Sequence, residues 1–277
     1  MRELGSLLAL LAGLSGCSHR SPSRGIGAMA AAPSELGFVL VGDKNSCLWV
    51  SPTEMTQQQA SNLDQEYSET LQQRLDEYWV ETTYPPQASQ DISQLLGPDY
   101  PAILVSTLDA ERLCDLASVS AGYSPKYGRL KSIPSGLVTD RSLRLPTFAE
   151  WVERIGSKHS SSWSCTMGNR MDLDGLSGWA TSSLPFQCHD GHRELAPVAS
   201  FPEDANQLFD VFGNVRELTE SQVPDTEARI VCGPSFASAD TLDSGILCDS
   251  GGGQPRLTHG LRLVLSGSDE ECSTLND

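Results

Sequence analysis

The chain has 277 residues, enough to bury a real core, and 39% of them are hydrophobic, which marks a folded globule rather than a disordered segment. Its 36 acidic residues against 19 basic ones leave a net charge of −17, which argues against nucleic-acid binding because that needs a basic face. The same surplus of carboxylates suits a solvated extracellular surface or calcium binding.

Arg2 gives a weakly basic start, and Leu7 to Leu14 form a short apolar run interrupted by Gly13. That run is too short to span a bilayer but has the length of a signal-peptide core. It ends in Leu14-Ser15-Gly16-Cys17, which resembles a bacterial lipobox, where small residues admit the signal peptidase and the cysteine thiol takes a diacylglycerol. Export to a bacterial cell envelope is therefore expected, with residues 1–17 as the lipoprotein signal segment and lipidation at Cys17. Membrane contact is then through the lipid anchor only, each buried CH₂ contributing about 0.8 kcal/mol. Residues 18–35, rich in Ser, Gly, Ala and Pro, read as a flexible tether. Besides Cys17, seven cysteines remain: Cys47, Cys114, Cys165, Cys188, Cys232, Cys248 and Cys272. An exported compartment permits disulfides, and an odd number leaves at least one thiol over. Cys114, on an apolar helical face, is the candidate; spacing does not pair the rest.

The folded region is expected over 36–266, followed by an acidic tail at 267–277. Phe38 to Val41 and Cys47 to Val50 read as two strands around a Gly42-Asp43 turn. Thr56 with Gln59 forms a capping box, and Ala60, Leu63, Tyr67, Leu71, Leu75 and Tyr78 recur at steps of three or four. This predicts one amphipathic helix of about 20 residues, ending before Pro85-Pro86. Ile103 to Val105 reads as a short strand, followed by a helix whose face carries Ala110, Leu113, Cys114 and Ala117. A further helix opens at Thr147, with Glu150 completing its capping box and Trp151 and Ile155 facing inward. From Ser157 to Cys188 the chain is rich in Ser and Gly, with isolated aromatics Trp163, Trp179 and Phe186. Long irregular stretches of this kind need fastening by metal or disulfide.

Several landmarks then fall in one order. They are Tyr100-Pro101-Ala102-Ile103-Leu104-Val105-Ser106, Arg144-Leu145-Pro146-Thr147-Phe148-Ala149-Glu150-Trp151, Asp190-Gly191-His192, Asp210-Val211-Phe212-Gly213-Asn214-Val215-Arg216-Glu217, Gly233-Pro234-Ser235-Phe236 and Gly260-Leu261-Arg262. Together they resemble the formylglycine-generating, or sulfatase-modifying factor, family from about Gly37 to Leu265. The resemblance implies an α+β fold similar to the C-type lectin fold: one domain with small twisted sheets, few helices and long ordered loops. Read from the residues themselves, Thr147 is a cap, Pro146 fixes the chain before it, and Arg262 is a buried, paired scaffold arginine. Gly213-Asn214 is a turn that tolerates positive φ.

Asp210, Gly213, Val215 and Glu217 stand at i, i+3, i+5 and i+7, so a tight loop could turn two carboxylates and two carbonyls toward one calcium ion. The resemblance implies calcium there, and a second site through Asn169, the carbonyl of Arg170, Asp190 and the carbonyl of His192. Active members oxidise a substrate cysteine to formylglycine with copper(I) held by two thiolates, soft ligands for a soft ion. The matching positions here, counted from Phe236, are Ser238 and Asp243, which argues against copper. Arg216 and Leu218 also stand where aromatics are usual, and Cys232 and Pro234 where Arg and Gly are usual. His189 and His192 beside Cys188 read as loop residues rather than a metal cluster. The reading is a non-catalytic, envelope-anchored module that binds a protein or glycan through its loop face. The alternatives are a formylglycine-generating oxidoreductase with an unrecognised site and a structural envelope lipoprotein.

Overall fold

The computed structural model describes residues 30–81, 95–137, 140–156, 165–170, 188–226, 228–238, 248–252 and 254–275. Cys17, Trp163, Trp179, Phe186 and Asp243 lie outside them. The architecture is α+β, with two small sheets. Strands β1 (Val39–Asp43) and β2 (Ser46–Val50) form the expected hairpin, paired antiparallel from Val39↔Val50 to Asp43↔Ser46. Asp43 closes it by accepting the N–H groups of Asn45 and Ser46 through Oδ1. The second sheet is built from β3 (Arg216–Gln222), β4 (Arg229–Cys232), β5 (Cys248–Gly252) and β6 (His259–Gly260), in the order β5-β4-β3-β6. Only the β3–β6 pairing in it is parallel. Strand β7 (Val264–Ser266) then returns to the first sheet beside β2.

The predicted 20-residue helix is two helices, α1 (Gln57–Leu63) and α2 (Gln65–Glu81). Thr56 and Gln59 form the expected capping box. The break falls at Asp64, which leaves helical geometry at φ −132°, ψ 104°. Its carboxylate accepts the N–H of Glu66 and pairs with Arg112 at 2.8 Å, so it starts α2 as it ends α1. The apolar period survives the break: Ala60, Tyr67, Leu71 and Leu75 are all buried in one cluster.

The strand expected at 103–105 is absent. Leu104 sits at φ +54°, a conformation no ladder tolerates, and its N–H bonds to Arg256 O instead. The segment is nonetheless core, since Ile103, Leu104 and Val105 are all buried. It leads into α3 (Thr107–Ala121), capped by Ser106 with Asp109 and closed by Gly122 at φ +87°. Cys114 on this helix is the free, buried cysteine, and burial pushes its thiol pKa well up. Two further carboxylates of α3 are buried and fully used. Asp115 accepts the N–H groups of Lys126, Tyr127 and Arg129, and Glu111 pairs with Arg129 and Arg229, tying the following loop and β4 to the helix.

Helix α4 begins as an α-turn (Phe148–Glu150) capped by Thr147 and runs into a π-turn (Trp151–Ile155). The π-turn ends at Gly156, where a Cβ would come within 2.5 Å of the Trp151 ring. Both Trp151 and Ile155 are fully buried, as their spacing predicts.

The folded unit extends past both expected ends. At the front, Ala31 is buried, donates to Ala121 O and accepts from Tyr123 Oη, so this residue, expected in the tether, belongs to the folded unit. At the back, the acidic segment contains α5 (Asp269–Cys272), capped by Ser268 and bonded to β2 through Cys47–Cys272. Two further disulfides, Cys165–Cys188 and Cys232–Cys248, complete the pairing.

Candidate functional site

Four segments converge beneath the loops: residues 51–55, the Trp151 turn, the Phe209–Glu217 loop entering β3, and Leu261–Leu263 after β6. Backbone bonds hold the outer two together, Ser51 N to Leu263 O at 2.9 Å and Met55 N to Leu261 O at 2.8 Å. At the centre lies Arg262, with no exposed surface. Its Nε and Nη2 donate to Glu217 Oε1 at 2.8 and 2.7 Å, Nη1 to Ser51 O and Pro52 O, and Nη2 also to Phe209 O. The other oxygen of Glu217 accepts from Trp151 Nε1 at 2.7 Å. A buried guanidinium is tolerated only when its donors are met and its charge is balanced, and here both conditions hold.

Asp210 sits at φ +60°, a left-handed conformation in which Asp is tolerated. Its Oδ2 accepts the Ala199 N–H at 2.6 Å, while Oδ1 has no donor. Glu54 is fully buried, and neither of its carboxylate oxygens has a donor. Its carboxyl lies against that of Asp210. Burial, with Asp210 and Glu217 nearby, raises the Glu54 pKa well above the ordinary carboxylate range despite Arg262. Burial likewise raises Asp210 to about 6, against the lowering effects of the Ala199 N–H, Arg262 and a hydrogen bond with the Glu54 carboxyl.

The second predicted cluster gathers around two asparagines. Asn214, at φ +66°, accepts the N–H of Ala196 at 2.9 Å, donates to Ala196 O, and receives Nδ2 of Asn169. Asn169 Nδ2 also donates to Glu194 O, and Asn169 O accepts the Asn214 N–H at 2.7 Å. Gly213 is therefore required for closeness rather than for positive φ, because a Cβ there would collide with the Asn169 backbone. Asp190 accepts the N–H groups of His192 at 2.7 Å and Arg170 at 3.3 Å, so Asn169, Arg170, Asp190 and His192 do come together. Asn214, which the sequence marks only as half of a turn, also ties this junction together through its side chain.

After β4 the chain turns through Gly233 (φ +86°) to Phe236. Ser238 Oγ accepts the Ser235 N–H at 2.9 Å, and Ser238 N donates to Ser235 O, so this serine closes its own turn. Cys232 and Cys248 face each other in register across β4 and β5 and are joined. Arg216 staples the same strands, donating to Gly233 O and Val231 O and pairing with Asp249. His259 is buried beside them. Burial, with Arg216 and Arg256 nearby, depresses its pKa to about 3, so its ring is neutral.

The model of the sulfatase-modifying factor enzyme 1-like domain matches residues 44–266. The chain belongs to this family. No curated protein sequence matches it. Three solved structures resemble it in fold. CarF is 20% identical over 80% of this chain and 87% of its own, with a TM-score of 0.45. PvdO from Pseudomonas aeruginosa is 15% identical over 79% and 80%, with a TM-score of 0.45. Treponema denticola variable protein 1 is 16% identical over 86% and 92%, with a TM-score of 0.46.

Within this sulfatase-modifying factor domain the two implied calcium loops fit unequally. Among the described residues no group of three or more His, Cys, Asp or Glu side chains is arranged to hold a metal. At the Asp210–Glu217 loop, Asp210 offers a free oxygen, but both Glu217 oxygens are committed to Arg262 and Trp151. Glu217 acts as the counter-ion of the scaffold arginine. At the other loop, Asp190 caps the turns of Arg170 and His192.

Proposed function

We propose that this sulfatase-modifying factor domain is a non-catalytic module, exported and lipid-anchored at Cys17, that binds a protein or glycan through its loop face. The observation that carries the reading is the state of the former copper locus. Ser238 is spent on its own turn, and the two nearest cysteines, Cys232 and Cys248, are joined to each other. A serine hydroxyl is hard and stays protonated, and a disulfide offers no thiolate, so neither supplies the soft donor pair that Cu(I) requires. What remains is a rigid scaffold, with three disulfides and a saturated buried arginine supporting long loops. Loops held this way suit recognition better than chemistry. No helix among the described residues is long and apolar enough to cross a membrane.

Mass spectrometry of the mature N-terminus tests the anchor and is expected to find a diacylglyceryl cysteine at position 17. An unmodified Cys17, or cleavage elsewhere, refutes it. The catalytic half of the reading requires that copper-loaded protein leave a cysteine peptide unoxidised.

A further inference from the structure

The chain leading from Cys17 enters the folded unit at the C-terminal end of α3. A Cβ on Gly122 would come within 2.9 Å of the Ala30 Cα, Ala31 N donates to Ala121 O, and Tyr123 Oη donates to Ala31 O. Cys17 is fourteen residues before Ala31, a reach of about 50 Å at full stretch. From this same point the chain runs into the loop of residues 124–137. Asp115 pins the base of that loop to α3 by accepting the N–H groups of Lys126, Tyr127 and Arg129. The loop is exposed from Lys131 to Gly136, and Ile133, at 54%, is one of three exposed large apolar side chains among the described residues.

The charge of this loop is the reverse of the molecule's. The chain carries a net −17, yet between Asp115 and Asp140 the sequence holds Lys126, Arg129 and Lys131 and no acid. The approach segment from Ser18 to Ser34 likewise holds Arg20 and Arg24 and no acid. Lys126 pairs with Glu220 and Arg129 with Glu111, whereas Lys131 has no ion pair among the described residues. An anionic bilayer repels a protein of this net charge, and turning a basic, acid-free surface toward it lessens the repulsion. We propose that the 124–137 loop rests on an anionic lipid surface, with Lys131 among the headgroups and Ile133 at the acyl boundary, as a second membrane contact beside the lipid at Cys17. This rests on the anchoring proposed above. A tethered loop meets the surface at a high effective concentration, so one free lysine and one exposed isoleucine suffice to bias how the domain lies.

The test uses full-length lipidated protein in vesicles of phosphatidylcholine, with or without phosphatidylglycerol, and an environment-sensitive dye at Ser132→Cys. Flotation with the neutral vesicles reports the anchor alone, and quenching of the dye by brominated lipid reports the loop. The labelled protein should float with both and be quenched more strongly on the anionic vesicles, a difference that fades at high salt. Adding Lys131→Glu should leave flotation intact but lower the docked population on anionic vesicles by about fivefold or more, the scale of one basic residue at such a surface. Ile133→Ser should also float and be quenched less. Both side chains are exposed, so both variants are expected to fold. Protein that floats but whose dye responds alike to the two compositions overturns the docked loop and leaves the anchor standing. So does a Lys131→Glu form that responds as the parent does. Protein that fails to float overturns the anchor and this inference with it.

Discussion

Replacing Arg262 with methionine should cost about 3–5 kcal/mol of folding stability, the scale expected when one partner of a buried ion pair is removed. The reason lies in what is left behind. Glu217 is 1% exposed and would keep only the Trp151 N–H, while the carbonyls of Ser51, Pro52 and Phe209 would lose their donor. Methionine fills much of the volume, so the loss is electrostatic and hydrogen-bonding rather than a cavity. The double variant Arg262→Met, Glu217→Gln should recover part of it, because the orphaned charge is gone. Urea unfolding of both variants at neutral pH measures the difference. A single variant within about 1 kcal/mol of wild type would show that this ion pair does not hold the loops, since that is the range of exposed pairs.

The second large effect is expected at the termini. Cys47 and Cys272 are 225 residues apart in sequence, so their bond closes nearly the whole domain. Loop-closure entropy for a ring of this length predicts roughly 5–6 kcal/mol of stabilisation. Cys47→Ser with Cys272→Ser should therefore cost about 2 kcal/mol more, and lower the denaturant midpoint further, than Cys165→Ser with Cys188→Ser, whose ring spans only 23 residues. The same removal should free α5 from β2, making the Asp269–Cys272 amides exchange faster than those of β2. Equal midpoints for the two double variants would contradict the entropic argument.

Those residues show which features the sequence could declare. Capping boxes are local and were readable at Thr56–Gln59 and Thr147–Glu150, because side chain and backbone partner lie within three residues. The inward face of the first helical region was readable for the same reason, although the break at Asp64 was not, since the apolar period continues through it. Leu104 reads as strand because its β-branched neighbours Ile103 and Val105 favour extended chain. Its positive φ follows from the distant carbonyl of Arg256, which no local pattern records. Cys114 stood out by its helical face, whereas the three disulfide pairings depend on the fold alone.

The candidate site divides in the same way. Asp210, Gly213 and Asn214 were legible as a turn because Gly and Asn serve turns, although Gly213 turned out to be needed for its closeness to Asn169. Arg262 was legible as a buried, paired arginine, but its partner Glu217, 45 residues away, was not. Glu54 was invisible. It precedes a helix cap, where an exposed acid is the ordinary expectation, and only the backbone bonds to Leu261 and Leu263 turn it into the core.

The central claim is that this member of the family retains the scaffold without the oxidation chemistry, and aldehyde formation tests it most directly. Pure, copper-loaded protein is incubated under oxygen with a cysteine peptide of the sulfatase type, and aldehyde is quantified by hydrazone formation and mass. The account predicts no aldehyde above that of a Cys232→Ser, Cys248→Ser control, since neither Ser238 nor a closed disulfide presents a thiolate. Catalytic turnover above that control would contradict it, and would mean that the Cys232–Cys248 pair opens to work as a metal-binding dithiol.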